Sequence, residues 1–121
     1  MEEDRIRFIT HQGKQILLVD CSHCTAAEVE KISKLVPSYV TSEAAGSVLL
    51  LADFTGARFD REAVEQLKQS AVFDRPHLKR SAWVGTGTLP KAFYEGIKVF
   101  SQRDLPTFQT REEALDWLVQ A

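Results

Sequence analysis

The segment Cys21-Ser22-His23-Cys24 carries the strongest chemical signal in the sequence. It lies between a predicted strand and a predicted helix. Two thiols at this spacing exchange with disulfides when the positive end of a helix lowers the pKa of the first thiol. The sequence therefore leaves open a thiol–disulfide redox function for Cys21 and Cys24.

The surroundings of this motif differ from those in thioredoxins. There, several residues that include a tryptophan separate the strand from the motif, whereas here Cys21 directly follows Asp20. Pro106 lies in a segment similar to the thioredoxin cis-proline segment, but a helix is predicted within a few residues of Phe108. We therefore expect a loop with incidental cysteines and keep redox chemistry as the alternative.

The sequence predicts neither a metal site nor a cofactor. Zinc in proteins is held by tetrahedral sets of ligands, for which Cys21, His23 and Cys24 could supply three. No fourth ligand is evident, because His11 and His77 lie on distant predicted loops. We expect no bound metal.

Two patterns associated with phosphate chemistry are incomplete. Asp20 and Asp53 each end a predicted strand, as in receiver domains, but no denser acid cluster accompanies them. Leu105 precedes Pro106 where a lysine would be needed to stabilise charge during phosphoryl transfer. The loop 85–88 has glycines but lacks the lysine and the length of a P-loop. It is read as a flexible strand-to-helix connection.

The composition predicts one ordinary globular domain over residues 1–121, with 44% hydrophobic and 26% charged residues. A net charge of −2 argues against nucleic-acid binding, which depends on clustered cations. No apolar run approaches the roughly 20 residues that span a bilayer, and the start Met1-Glu2-Glu3-Asp4 is acidic, unlike a signal peptide. Two cysteines make no disulfide framework, so we expect a cytoplasmic protein.

Hydrophobic periodicity predicts the order β-β-α-β-α-β-α-β-α. Strands alternating with helices imply an α/β fold with a mixed, mostly parallel sheet flanked by helices. Predicted helix starts follow the capping residues Ser22 or Thr25 for the first helix, Asp60 for the second and Thr110 for the last. Pro37 is expected to end or kink the first helix. The buried face of the third helix is predicted to consist of Leu89, Phe93, Ile97 and Phe100.

The segment 48–63 joins a buried strand, an acidic loop that contains Gly56, and an amphipathic helix. In open α/β proteins, function collects where parallel strands lead into helices. Together with the element order, this segment makes the chain resemble the STAS domains, within them the SpoIIAA-like (STAS/SEC14-like) group. The resemblance covers nearly the whole chain, and the residues that carry it lie at 53–60, 79–85 and 108–118.

In anti-sigma-factor antagonists of this family, a kinase phosphorylates a serine just after the acidic residue that opens the second helix. Asp60 matches the acidic position, but Arg61 and Glu62 follow it, and neither carries a hydroxyl. The resemblance thus implies the fold without its serine switch. Thr55 carries the nearest hydroxyl, and we expect Thr55 and Gly56 to be ordinary turn residues.

The resemblance therefore implies a non-enzymatic regulatory domain that binds an unidentified protein partner; a homodimer is also plausible. The expected partner-binding residues are Asp53, Thr55, Gly56, Arg58, Phe59, Asp60 and Arg61. Asp53 and Asp60 would cap and orient, the two arginines would make charged contacts, and Phe59 is the candidate apolar anchor.

Aromatic residues cluster in the C-terminal third of the chain, and core packing is the first explanation for most of them. They are Trp83, Phe93, Tyr94, Phe100, Phe108 and Trp117. The SEC14-like name of the group raises an alternative, a small apolar, lipid-like ligand held between the late helices and the sheet. A lined pocket would need more space than 121 residues usually leave unfilled.

Overall fold

The computed structural model describes residues 2–102 and 104–121; Met1 and Arg103, which the predicted domain includes, lie outside the described residues. A five-stranded sheet has the order β1-β2-β3-β4-β5. β1 pairs antiparallel with β2, and the other neighbours are parallel. This confirms the predicted mixed, mostly parallel α/β sheet. The strands are β1 (Ile6–His11), β2 (Lys14–Asp20), β3 (Val48–Asp53), β4 (Leu78–Val84) and β5 (Thr107–Phe108).

Helices cover both faces of the sheet, and each face has its own core. The helices are α1 (Ala26–Val40), α2 (Arg61–Asp74), α3 (Lys91–Ser101) and α4 (Arg111–Leu118). Residues of α1, α2 and α3 share one core, and α4 packs on the opposite face. The run 16–19 of β2 is accordingly buried throughout. None of the described helices is long and apolar enough to cross a membrane.

The predicted helix starts are confirmed at their capping side chains. Thr25 and Glu28 form a reciprocal capping box at α1. The Asp60 carboxylate accepts a hydrogen bond from the Ala63 amide at 2.8 Å. Thr110 accepts one from the amide three residues later, at 3.2 Å. These starts were predictable because a cap is decided by residues three positions apart.

Of the two outcomes predicted for Pro37, an end of the first helix is wrong, because the helix continues to Val40. Proline lacks the N–H that would bond the carbonyl of Ser33, four residues earlier. The hydroxyl of Ser70 on α2 donates to that carbonyl at 2.7 Å, in a buried position. A tertiary hydrogen bond therefore replaces the missing helical one.

The prediction for the inner face of α3 is half wrong. Leu89 and Ile97 are buried, but Phe93 and Phe100 are 40% and 56% exposed. Tyr94 lies inside instead; its ring contacts Trp83 edge-on at 6.1 Å, and its hydroxyl donates to the backbone carbonyl of Leu105. The helix carries two apolar stripes, and only its docking on the sheet decides which one faces the core.

We expect Ser70→Ala to lower the free energy of unfolding by about 1–2 kcal/mol, because the buried Ser33 carbonyl loses its partner. In a Pro37→Ala background the new amide can bond that carbonyl, so the same change should cost less than half as much. Urea unfolding of the wild type, the two single variants and the double variant measures the coupling free energy between Ser70 and Pro37. Equal costs in both backgrounds would show that Ser70 does not compensate for the proline.

Candidate functional site

Two carboxylates lie side by side at the carboxyl end of the sheet, and one arginine bridges them. Asp20 ends β2, Asp53 ends β3, and the two residues are register partners. Arg111, the first residue of α4, places Nε 2.6 Å from Asp53 Oδ2 and Nη2 3.0 Å from Asp20 Oδ1. The arginine thereby neutralises charge that parallel pairing concentrates at this edge.

Both carboxylates also organise the loops that follow them. Asp20 Oδ1 accepts hydrogen bonds from the Ser22 amide at 3.0 Å and the Ser22 hydroxyl at 2.6 Å. Asp53 Oδ1 accepts the same pair from Thr55, at 2.9 and 2.7 Å. Partial burial alone would raise the pKa of Asp20, but the Ser22 hydrogen bonds and the Arg111 guanidinium hold this pKa below its usual value.

Two glycines allow three loops to meet above these carboxylates. Gly56 has φ +68°, and a Cβ there would lie 2.8 Å from Cε1 of His23. Gly85 has φ +69°, and its Cβ would lie 2.6 Å from the backbone nitrogen of Thr55. The Thr55 carbonyl accepts the His23 amide at 2.7 Å. Only glycine permits both the left-handed backbone and this closeness.

Further hydrogen bonds fix the loop 54–60 from both sides. The Arg58 amide donates to the Cys24 carbonyl at 2.9 Å. The Thr88 hydroxyl donates to the Ala57 carbonyl at 2.6 Å, and the loop ends at the Asp60 cap. The backbone of this loop is therefore held by the loops that follow β2 and β4.

Most of the predicted partner-binding residues lie together at this edge. Asp53 is the exception, because its side chain is buried beneath the loop and bonds Arg111 and Thr55. Phe59 is half-buried, with its ring 5.6 Å from that of Phe54. We call the remaining set the carboxyl-edge surface; it consists of Thr55, Gly56, Arg58, Phe59, Asp60 and Arg61.

The carboxyl-edge surface presents positive charge that the fold itself does not use. Arg58 and Arg61 are exposed, and neither forms an ion pair with another residue in the described part of the chain. Asp60 uses its carboxylate to cap α2. The Thr55 hydroxyl, by contrast, is already bonded to Asp53.

The sequence patterns did not identify Arg111 as part of this edge. Its contact with Asp53 spans 58 positions along the chain. The paired Asp-x-Ser and Asp-x-Thr patterns at 20–22 and 53–55 were readable as turns. Nothing local to Arg111 indicates that it lies between the two aspartates.

The cysteines lie next to this edge but below its surface. Cys21 and Cys24 are free thiols, each 1% exposed. Burial raises the pKa of the Cys21 thiol, and the neighbouring Cys24 and Asp20 raise it further. A redox thiol needs the opposite shift and access to its partner, so this geometry does not favour the thiol–disulfide alternative. Among the described residues, no group of His, Cys, Asp and Glu side chains could hold a metal ion.

The apolar-ligand alternative finds little room in this interior. A cavity of about 60 Å³ lies between the sheet and the α1–α2 layer, with Val36, Leu50 and Leu67 among its lining residues. Small-molecule pockets usually measure about 300–1,000 Å³. Trp83 is buried, and the rings of Phe108 and Trp117 contact each other at 5.5 Å. Trp83 and Phe108 pack the domain. Trp117 also lines an open groove of about 390 Å³, but most residues that line this groove are polar or charged, among them Arg75, Lys79 and Arg80.

The fold is SpoIIAA-like. The chain is similar to the crystal structure of an uncharacterized protein from the DUF3478 family with a SpoIIAA-like fold, from Shewanella loihica PV-4. The TM-score is 0.66 at 21% identity, and the similarity covers 93% of this chain and 91% of the other. No family model matches the sequence, and no curated protein matches it either. The similarity confirms the predicted fold and gives no information on activity.

We expect Arg111→Met to lower the free energy of unfolding by about 2 kcal/mol at pH 7. This lies between the values for exposed and buried ion pairs, because Arg111 is partly exposed and Asp53 is not. The Asp20 pKa is depressed in the folded state, so its contribution is present above the ordinary value of 3.8 and is lost as pH falls through the lower folded value. The difference between the two proteins should therefore shrink below about pH 4.

Chemical denaturation between pH 3 and pH 8 measures this difference. Arg61→Met is the matched control, since Arg61 is exposed and unpaired among the described residues, and it should change stability by less than about 0.5 kcal/mol. Equal effects of the two variants would contradict the bridging role of Arg111.

We expect both cysteines to react with a disulfide reagent at pH 8 at least about 100-fold more slowly in the native protein than in denaturant, because the thiols are buried and Cys21 resists ionisation. Absorbance of the released thiolate follows the reaction. Fast native labelling, or a disulfide that forms reversibly at neutral pH, would restore the redox alternative.

Proposed function

We propose that this chain is a non-enzymatic regulatory domain that binds another protein through the carboxyl-edge surface. The observation that carries the proposal is a surface loop that is exposed yet held in place by both neighbouring loops. A binding loop that is already ordered loses little conformational entropy when a partner docks. The STAS resemblance of the sequence supports the same location.

The charges of this surface suggest the chemistry of the partner. Arg58 and Arg61 offer two guanidinium groups without internal ion pairs in the described chain, beside the half-buried ring of Phe59. Arginine and aromatic side chains are enriched among residues that dominate binding energy. A partner with carboxylates around a small apolar contact would complement them.

Regulation by a phosphorylated serine at the start of α2 has no place in this proposal. Arg61 and Glu62 occupy the positions after Asp60, and neither can accept a phosphoryl group. Control would then come from partner abundance or from another site. The two free cysteines fit the reducing cytoplasm that we propose as its compartment.

Affinity capture with charge-reversed baits tests the proposal. The double variant Arg58→Glu/Arg61→Glu should reduce specific partner recovery at least tenfold, and raised salt should weaken wild-type binding, because exposed charges are screened. Phe59→Ala should reduce recovery as well, but it also removes a contact with Phe54. The charge reversals therefore decide the outcome.

Lys79→Glu is the matched control. Lys79 is exposed on β4, near the amino end of the strand and away from the loop. This variant should capture partners as the wild type does, with an unchanged urea midpoint. If the double reversal leaves every partner bound, or if Lys79→Glu weakens binding equally, the carboxyl-edge surface is not the docking site.

A further inference from the structure

An open groove runs along the outer edge of the first half of β4. β5 pairs only with Trp83 and Val84 at the end of this strand, so it does not reach the first half. We call this space the β4 groove; its volume is about 390 Å³, which lies in the range of small-molecule sites. The groove is lined by residues 78–81, Arg75, Asp104, Pro106 and Trp117.

The β4 groove is positively charged although the whole chain has a net charge of −2. Among its described lining residues, the cationic side chains are Arg75, Lys79 and Arg80, and Asp104 is anionic. None of the three cations forms an ion pair with Asp104 or with any other residue in the described part of the chain. The excess positive charge is therefore open to an anion from solution.

Neutral acceptors hold two of these cations in place. Arg80 Nη1 donates to the backbone carbonyl of Trp117 at 2.9 Å, and the guanidinium carbon lies 4.3 Å from the centre of the Trp117 ring. Arg75 Nη1 donates to Oε1 of Gln102 at 2.9 Å. A guanidinium has several N–H donors, so each of these contacts leaves donors for a ligand. The two arginines are positioned without being neutralised, which lowers the entropy cost of binding an anion.

The charge of the β4 groove favours a phosphate group over a single carboxylate. Three cations and one carboxylate leave an excess of two positive charges among the described lining residues. A phosphate monoester carries a charge of about −1.5 to −2 at neutral pH and has three strong acceptor oxygens. Arginine side chains bind such oxygens with paired hydrogen bonds. A phosphate monoester therefore matches both the charge and the donors of the groove.

The carboxylate of Asp104 indicates what lies beside the phosphate in such a ligand. Asp104 is exposed and lines the same groove as the three cations. A carboxylate only accepts hydrogen bonds, and its charge repels a phosphate group. A hydroxyl group next to the phosphate could donate to Asp104 and offset this repulsion. A hydroxylated phosphate ester thus fits the groove better than bare phosphate does.

We propose that the β4 groove binds a small, soluble phosphate monoester that carries hydroxyl groups beside its phosphate. Arg75, Lys79 and Arg80 bind the phosphate oxygens, and Asp104 accepts a hydrogen bond from a ligand hydroxyl. The groove is separate from the carboxyl-edge surface, which lies beyond the carboxyl ends of the strands. A ligand in the groove would leave protein capture through that surface unchanged.

Nuclear magnetic resonance titration of the full, isotope-labelled chain with glycerol 3-phosphate tests the proposal at constant ionic strength. The indole N–H signal of Trp117 should shift with a dissociation constant of about 1 mM or below. The signal of Trp83, the other tryptophan, should not move, because Trp83 is buried and does not line the groove. The double variant Arg75→Gln/Lys79→Gln should raise the dissociation constant about tenfold or more. Its urea midpoint should not change, since both side chains are exposed.

Arg58→Gln/Arg61→Gln is the matched control. It removes the same number of exposed positive charges from the carboxyl-edge surface and should leave the dissociation constant unchanged. Equal weakening by the two double variants would show attraction by net charge alone and would overturn the proposal. A Trp117 signal that does not move at about 10 mM ligand would overturn it as well.

Related compounds test the class of the ligand. Propyl phosphate, which lacks the hydroxyl groups, should bind about threefold or more weakly than glycerol 3-phosphate, because one hydrogen bond is lost. Asp104→Ala should remove this difference. Succinate, a dianion with two carboxylates, should bind more weakly than either phosphate ester. If propyl phosphate or succinate binds as tightly as glycerol 3-phosphate, the proposed ligand class is wrong.

Vesicles separate a soluble ligand from a lipid headgroup of the same chemistry. Phosphatidic acid also ends in a phosphate monoester, and vesicles that contain it should not sediment the chain. Sedimentation that Arg75→Gln/Lys79→Gln abolishes would assign the β4 groove to a lipid headgroup and would overturn the proposal of a soluble ligand.

Discussion

The structure of the carboxyl edge of the sheet depends on how the fold accommodates two carboxylates at the ends of neighbouring parallel strands. Register pairing places Asp20 beside Asp53, and the charge of Asp53 lies almost out of contact with water. Like charges so placed would repel each other, and partial burial would disfavour the ionisation of Asp20. Arg111 resolves both problems with one planar group, whose Nε and Nη2 bond one carboxylate each. Lysine, with a single point charge, could not reproduce this geometry.

This ion cluster also joins the two layers of the fold. α4 packs on one face of the sheet, while α1 and α2 begin from loops that lead to the other face. Through Arg111, the first turn of α4 is tied to the residues that start both of those loops. The aspartates in turn fix Ser22 and Thr55. The shape of the exposed loop 54–60 therefore depends on a helix at the far end of the chain.

The exposed loop 54–60 is held by hydrogen bonds, and the two thiols beside it are buried. Ser22, Thr55 and the two cysteines supply the hydroxyls and thiols of this edge. The Ser22 and Thr55 hydroxyls are hydrogen-bonded to Asp20 and Asp53, and the thiols lie beneath the surface. What remains accessible is charge and shape, supplied by Arg58, Arg61 and the edge of Phe59. The proposed docking role rests on these accessible groups.

The sequence by itself determined the order of the elements, the helix starts and the acidic ends of β2 and β3. Each of these follows from residues only a few positions apart: alternation within a strand, Thr25 with Glu28, or Asp60 with Ala63. The tertiary structure decided three other features, namely that α1 passes through Pro37, that Phe93 and Phe100 face outward, and that Arg111 bridges the aspartates. In each case the deciding contact comes from an element that is distant in the sequence. The partner that replaces a proline's lost hydrogen bond, the choice between two apolar stripes and the counter-ion of a buried charge all depend on what packs against the residue in the folded chain.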